Sequence, residues 1–195
     1  MGWARIWRSG GQGVASLAFM ATALACSPAF DGNVYRRGDL AFRVGEKPSS
    51  WRQIEASDAL IAYRNDAHDI TVAVNGRCHA DGDDVPLEAL TQHLFMLFTE
   101  REIYQQDKRP MDGREALRTT MVAKLDGVKM GFVVYVLKKD QCVYDFLWIG
   151  PAQAVTAASR GQGASQGQAS TAGSGDQVAE FDRYVGGFQT LGGRP

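Results

Sequence analysis

Apolar and polar residues alternate in short bursts along much of this chain, and a period of two reads as strand. Leu40, Phe42 and Val44 alternate first, and residues 48–50 (PSS) interrupt them, leaving Trp51 to pack back onto a core. Residues 59–64 (ALIAYR) and 70–75 (ITVAVN) follow, separated by the turn formers of 65–69, so a hairpin is predicted. Cys78 lies just past it. From Pro86 the period lengthens. PLEALTQHLFMLFTE (86–100) places Leu87, Leu90, Leu94, Leu97 and Phe98 at helical spacing, and proline is tolerated in a first turn. Residues 103–109 read as extended. REALRTTMVAKL (114–125) fits helix or strand, and Thr119, Thr120 and Val122 favour a strand in its second half.

Asp126-Gly127 is a hairpin signal. MGFVVYVL (130–137) and CVYDFLWI (142–149) are apolar on both sides, with a turn at 138–141 between them. Strands of that kind are central and covered on both faces, and helices are the economical cover. Near the end, Val178, Phe181, Val185 and Phe188 recur at helical spacing in VAEFDRYVGGFQTL, which predicts a closing helix. Before it, residues 152–176 are rich in Gly, Ser, Gln and Ala. Such a segment buries too little apolar surface to offset its ordering entropy, so a disordered low-complexity insertion is predicted there.

The N-terminus carries an address. Residues 1–13 hold Arg5 and Arg8 and no acid, and 14–25 is the uncharged run VASLAFMATALA. A positive segment, a short apolar segment and then small residues is the layout of an export signal, here 1–25. The run is shorter than the roughly 20 residues a membrane-spanning helix needs. Two cuts fit. Ala23-Leu24-Ala25 is an A-x-A site whose cleavage releases a periplasmic or secreted protein. Leu24-Ala25-Cys26 resembles the lipobox of bacterial lipoproteins, in which the cysteine becomes acylated, although Ala23 stands where that pattern prefers Leu. The favoured reading is lipidation of Cys26, because a cysteine immediately after the cut is otherwise a rare coincidence. Stable anchoring takes two or more acyl chains, which bacterial lipoproteins supply. Ser27, rather than Asp, favours the outer membrane by the enteric sorting rule. Residues 26–37 (CSPAFDGNVYRR) have no periodicity and read as a tether.

Charge and cysteines narrow the field. The formal net charge is −1, and loss of Arg5 and Arg8 makes the rest more acidic, so there is no electrostatic footprint for nucleic acid. Of three cysteines, lipidation of Cys26 leaves Cys78 and Cys142. In an exported chain that even remainder predicts a disulfide, with two free buried thiols as the alternative. Closing so long a loop is worth roughly 4 kcal/mol in the chain-entropy model.

Candidate chemistry is sparse. Asp81, Asp83 and Asp84 alternate like the start of a calcium loop, but the later Gly and Glu are missing, so they read as a solvated loop. His79 beside Cys78 has no second pair at zinc spacing, and His93 reads as a partly exposed helix residue. There is no G-x-S-x-G. No catalytic residue, metal or cofactor is assigned. Asp145 is the odd residue, a carboxylate on a strand fit for burial, which is costly unless paired. Arg43, Arg64, Arg114 or Arg118 is its expected partner. The functional alternative is a pocket in which Asp145 lies among Tyr135, Tyr144 and Trp148, with Tyr63 available to the same wall.

The order of strand, Trp, hairpin, Cys, PLEAL helix, Asp-Gly meander, CVYDFLWIGP and closing FDRYVGGF resembles the PsbP/DcrB-like fold. It is most similar to bacterial envelope lipoproteins of that type. The likeness covers 38–151 and 178–191, and the 152–176 insertion departs from it. It implies one α+β domain (38–151 and 177–192) whose antiparallel β-sheet is sandwiched by helices. Members are mostly accessory or binding proteins rather than enzymes. The expectation is a non-catalytic, lipid-anchored cell-envelope protein, bound to the membrane through its N-terminal lipid and to an envelope protein partner, acting in binding or assembly.

Overall fold

The computed structural model describes residues 30–79, 85–159 and 174–192. Two antiparallel sheets form. The smaller holds β1 (Phe30–Asp31), β2 (Val34–Arg37), β3 (Leu40–Arg43) and the last strand, β11 (Gln189–Thr190), in the order β1-β2-β3-β11. The larger is built from β4 (Arg52–Ile54), β5 (Ile61–Asn65), β6 (Ile70–Cys78), β7 (Thr99–Met111), β8 (Arg114–Leu125), β9 (Val128–Lys139) and β10 (Cys142–Gly150). Its order is β4-β5-β6-β10-β9-β8-β7. The helices are α1 (Leu87–Leu94), α2 (Ala152–Ser159) and α3 (Ser174–Gly186). The fold is α+β, as expected.

Successive side chains on a strand point to opposite faces, and the central strands fill both. Tyr144, Phe146 and Trp148 of β10 join Val133, Tyr135 and Leu137 of β9 in a first core. Val143 of β10 joins Phe132, Val134 and Val136 of β9 in a second. The first core is closed by α2, α3 and the small sheet. Phe42 meets Tyr144 edge-on at 5.7 Å, Phe188 lies 4.9 Å from Tyr144, and Tyr184 packs against Trp51 at 5.4 Å and Tyr63 at 5.8 Å. The second core is closed by α1, through Leu90, and by the turn after it, where Phe98 stacks on Phe132 at 4.6 Å. The expected sandwich of helices is therefore lopsided: a small sheet takes part of one face, and α1 packs mainly on β8 and β9 of the other.

Three hairpins turn on residue pairs with positive φ: Asp112-Gly113, Asp126-Gly127 and Asp140-Gln141. Such mirror-image turns match the right-handed twist of the strands they join.

Three expectations need correction, and one reading left open between helix and strand is resolved. Residues 30–37 are not tether but sheet, because Tyr35 stacks on Phe42 at 5.1 Å and is buried. The helix predicted over 86–100 stops at Leu94. Phe95 turns into the second core, and Thr99 already pairs with Lys124. The 114–125 segment is strand throughout. Residues 152–159 of the supposed disordered insertion form α2. Its alanines favour helix, and Ala154 and Val155 are buried against the sheet, where a Cβ on Gly131 would lie 2.7 Å from the Val155 side chain. Residues 160–173 lie outside the described residues.

The C-terminus of α3 is docked backbone to backbone. Gly45 N–H donates to the Tyr184 carbonyl at 3.0 Å, and Gly187 N–H donates to the same oxygen at 3.3 Å. A Cβ on Gly187 would stand 2.5 Å from the Gly45 Cα. Gly187→Ala is expected to cost about 1–3 kcal/mol by overpacking, read as a lower urea midpoint. Gly186→Ala, whose Cβ meets nothing within 4 Å, should not.

Candidate functional site

Turns from three parts of the chain converge at one end of the large sheet. They enclose a cleft of about 820 Å³ lined by Arg36, Asp39, His79, Asp140, Gln141 and Cys142, among others. Asp39 sits on the β2–β3 turn, His79 follows β6, and Asp140 and Gln141 form the β9–β10 turn. The Cys78–Cys142 disulfide forms, and the two residues are direct cross-strand partners. His79 N–H donates to the Gln141 carbonyl at 3.0 Å. The neighbouring pair is thus hydrogen-bonded, and the cysteines occupy the closer, non-hydrogen-bonded position.

Both signs of charge face this cleft. His79 Nε2 is 4.0 Å from Asp39 Oδ2, and both side chains are mostly exposed, so their attraction is weak. Close by, Lys139 Nζ donates to the Asp112 carbonyl at 2.7 Å and to its Oδ2 at 2.6 Å. Thr190 donates its N–H and hydroxyl to the same carboxylate oxygen at 2.8 and 3.0 Å, tying β11 to the β7–β8 turn. Burial opposes ionisation of Asp112, but Lys139 and Thr190 hold its carboxyl below the ordinary 3.8. Burial first, then the charges of Asp140 and Asp112, push the Tyr144 phenol up to about 12. Tyr144 is therefore a neutral group near pH 7 and no base. Cys142 is bridged and offers no thiolate. What the cleft offers is recognition of a polar molecule by hydrogen bonds and paired charges.

A second polar cluster lies inside the fold. Arg118 on β8 donates Nε and Nη2 to the two carboxylate oxygens of Asp182 on α3, at 3.1 and 3.0 Å. The Tyr135 hydroxyl donates to Asp182 Oδ1 at 2.9 Å. The Arg118 side chain is only 7% exposed. Burial acts to lower its pKa, yet Asp182 outweighs this and raises it. Tyr135 is raised by burial and then by Asp182. This forked pair clamps α3 to the sheet and is no candidate for chemistry.

The predicted pocket does not assemble. Tyr135, Tyr144, Trp148 and also Tyr63 all belong to the first core. Asp145 stands one residue from Tyr144 and therefore points to the opposite face. It is 4% exposed, and its Oδ2 accepts from Arg77 Nη1 at 2.9 Å. None of the four expected arginines is that partner: Arg118 holds Asp182 and Arg64 holds Asp69 and Thr71. Arg77 is two strand positions from Asn75, the residue that directly faces Asp145. His93 is exposed on α1. Cys26, Asp81, Asp83 and Asp84 lie outside the described residues. Among the described residues, no three His, Cys, Asp or Glu side chains converge as a metal site requires. The cleft carried no local signal, since its lining comes from separate turns; only His79 and Cys142 had drawn notice, the one beside Cys78 and the other as its bridge partner.

No family model matches the chain, and no curated protein matches it. Among solved structures it is similar to LpqN of Mycobacterium tuberculosis, a protein involved in cell envelope biogenesis. The identity is 12% and the TM-score 0.48, over 78% of this chain and 86% of that one. It is also similar to CyanoP, the PsbP of Synechocystis sp. PCC 6803, at 11% identity and TM-score 0.49, over 86% and 98%. A Bacteroides thetaiotaomicron protein matches 84% of this chain over half of its own length, at 10% identity and TM-score 0.46. A PsbP is thus among the structures this chain is similar to. At such identities and TM-scores none of them assigns it an activity.

Replacing Arg118 by Ala is expected to lower stability by about 2–3 kcal/mol, measured by urea unfolding, because it leaves Asp182 and Tyr135 without their cation. Asp112 contributes to the acid limb of stability. Its folded pKa is depressed, so its contribution is complete well above 3.8 and fades as pH falls through the folded value. Asp112→Asn should cost about 1–2 kcal/mol at pH 7, and its stability curve should converge with wild type only as pH falls below the folded pKa, itself under 3.8.

Proposed function

We propose that the protein is a non-catalytic, lipid-anchored component of the bacterial cell envelope that works by binding or assembly at the membrane surface. The Cys78–Cys142 disulfide carries this reading. Disulfides persist in oxidising compartments, so the bridge supports export, and export supports reading residues 1–25 as a signal and Cys26 as the residue that follows the cut. Neither polar cluster pairs a nucleophile with a base. One is an open cleft of mixed charge, the other a clamp between α3 and the sheet.

The second reading is a periplasmic or secreted binding domain, released after Ala25 without lipid. The cleft of about 820 Å³ favours it, since a cavity of this size with a few convergent polar groups suits a small ligand.

The two separate in one experiment on the mature protein, wild type and Cys26→Ser. Intact mass and membrane fractionation are expected to show acyl mass and pelleting for wild type, with the variant soluble. Unmodified, soluble protein in both cases would sink the anchor.

A further inference from the structure

The turns at the other end of the large sheet leave an apolar patch in the open. Met96 is 67% exposed, Leu97 83% and Val128 59%, and Ile103 is exposed further along β7. These positions belong together. Thr99 pairs with Lys124 and Val128 with Leu125, so the chain after α1 lies against the β8–β9 hairpin. Phe98, Leu125 and Met130 are partly buried on the second core directly beneath. Ile103 pairs with Met121, a residue of the same core. The patch is thus the outcrop of the second core, and its most prominent residue, Leu97, touches little. Apolar outcrops of this kind mark interaction sites.

We propose that this tip docks into a concave apolar cleft on a second, folded envelope protein. Two observations choose a protein over a lipid surface. The first is reach, and it rests on the anchor at Cys26. Phe30 is four residues from Cys26, a span of about 14 Å when fully extended. Phe30 shares a row with Tyr35 and Phe42. Phe42 packs on Tyr144, whose partner on β9 is Leu137. Val128 is nine residues away along that strand, about 30 Å, and the tip continues the opposite face of the sheet. An anchor at the Phe30 end holds the tip away from the bilayer. The second is charge. Glu100, Glu102 and Asp126 balance Arg101, Lys124 and Lys129 around the patch, and Glu100 and Lys124 are already paired at 2.6 Å. A rim without positive excess does not suit an anionic leaflet, whereas an apolar centre with a rim of both signs is the anatomy of a protein interface.

The test places a photo-crosslinking residue at Leu97 of the full-length chain in cells, and reads the acyl mass of the same sample. The expected result is a discrete protein adduct that disappears with Val128→Asp. The partner identified from it, once purified, should bind wild type at least tenfold more tightly than Leu97→Asp, with the variant's melting temperature unchanged. Absence of an adduct overturns the proposal. So does an adduct with a second copy of this chain. Binding of the Cys26→Ser protein to phosphatidylglycerol vesicles that is lost with Leu97→Asp assigns the tip to lipid and overturns it as well. An adduct on unacylated protein sinks the anchor and leaves the docking site standing.

Discussion

Burial of both faces of β9 and β10 is the constraint on which the rest of this fold depends. A strand exposed on one face needs cover only on the other, whereas these two need it twice. One cover comes from α2, α3 and a small sheet built from the two ends of the described chain; the other comes from α1 and the aromatic turn behind it. The two covers differ in character. The first is rich in aromatic contacts and holds a half-buried ion pair, while the second is thin and lets Leu97 and Met96 spill past its edge. The uneven cover leaves one end of the molecule polar and cleft, the other apolar and convex.

The C-terminal helix is held by three different kinds of contact. A backbone hydrogen bond from Gly45 sets its end, the Arg118 fork sets its lateral position, and Phe181, Tyr184 and Val185 fill the first core. An ion pair on its own is weak evidence of stability, because desolvation offsets much of the attraction. Here it is directional: a fork accepts a carboxylate in one geometry, whereas ring packing tolerates several. The helix rotation is therefore better defined by Asp182 than by its larger apolar neighbours.

Much of the layout was legible locally. Asp126-Gly127 turned where its residue types require, the hairpin of β5 and β6 formed, and the even pair of cysteines became a bridge. What failed did so for identifiable reasons. Averaging composition over 152–176 hid the alanine-rich turn pair that became α2. Apolar spacing in 86–100 could not tell a buried stripe from a turn whose Leu97 faces solvent. Placing Asp145 with Tyr144 and Trp148 ignored the period of two, which the strand itself displayed. The partner of Asp145 was out of reach by local reading: Arg77 is 68 positions away, on a strand brought alongside only by the sheet order. The cleft, assembled from three turns, is likewise a product of topology.

That sheet order divides the large sheet into two meanders. Strands β4 to β6 connect in sequence, as do β7 to β10, and a single long-range pairing, β6 with β10, sews them together. Hairpins close over short loops, whereas this seam must close across 64 positions, so the entropy of chain closure falls on it. A slip of one residue along the seam would turn Cys78 to the wrong face of Cys142. Oxidation thus rewards only the correct alignment, and the bridge serves as a proofreader of register: once formed, it certifies that the two meanders have been joined in step.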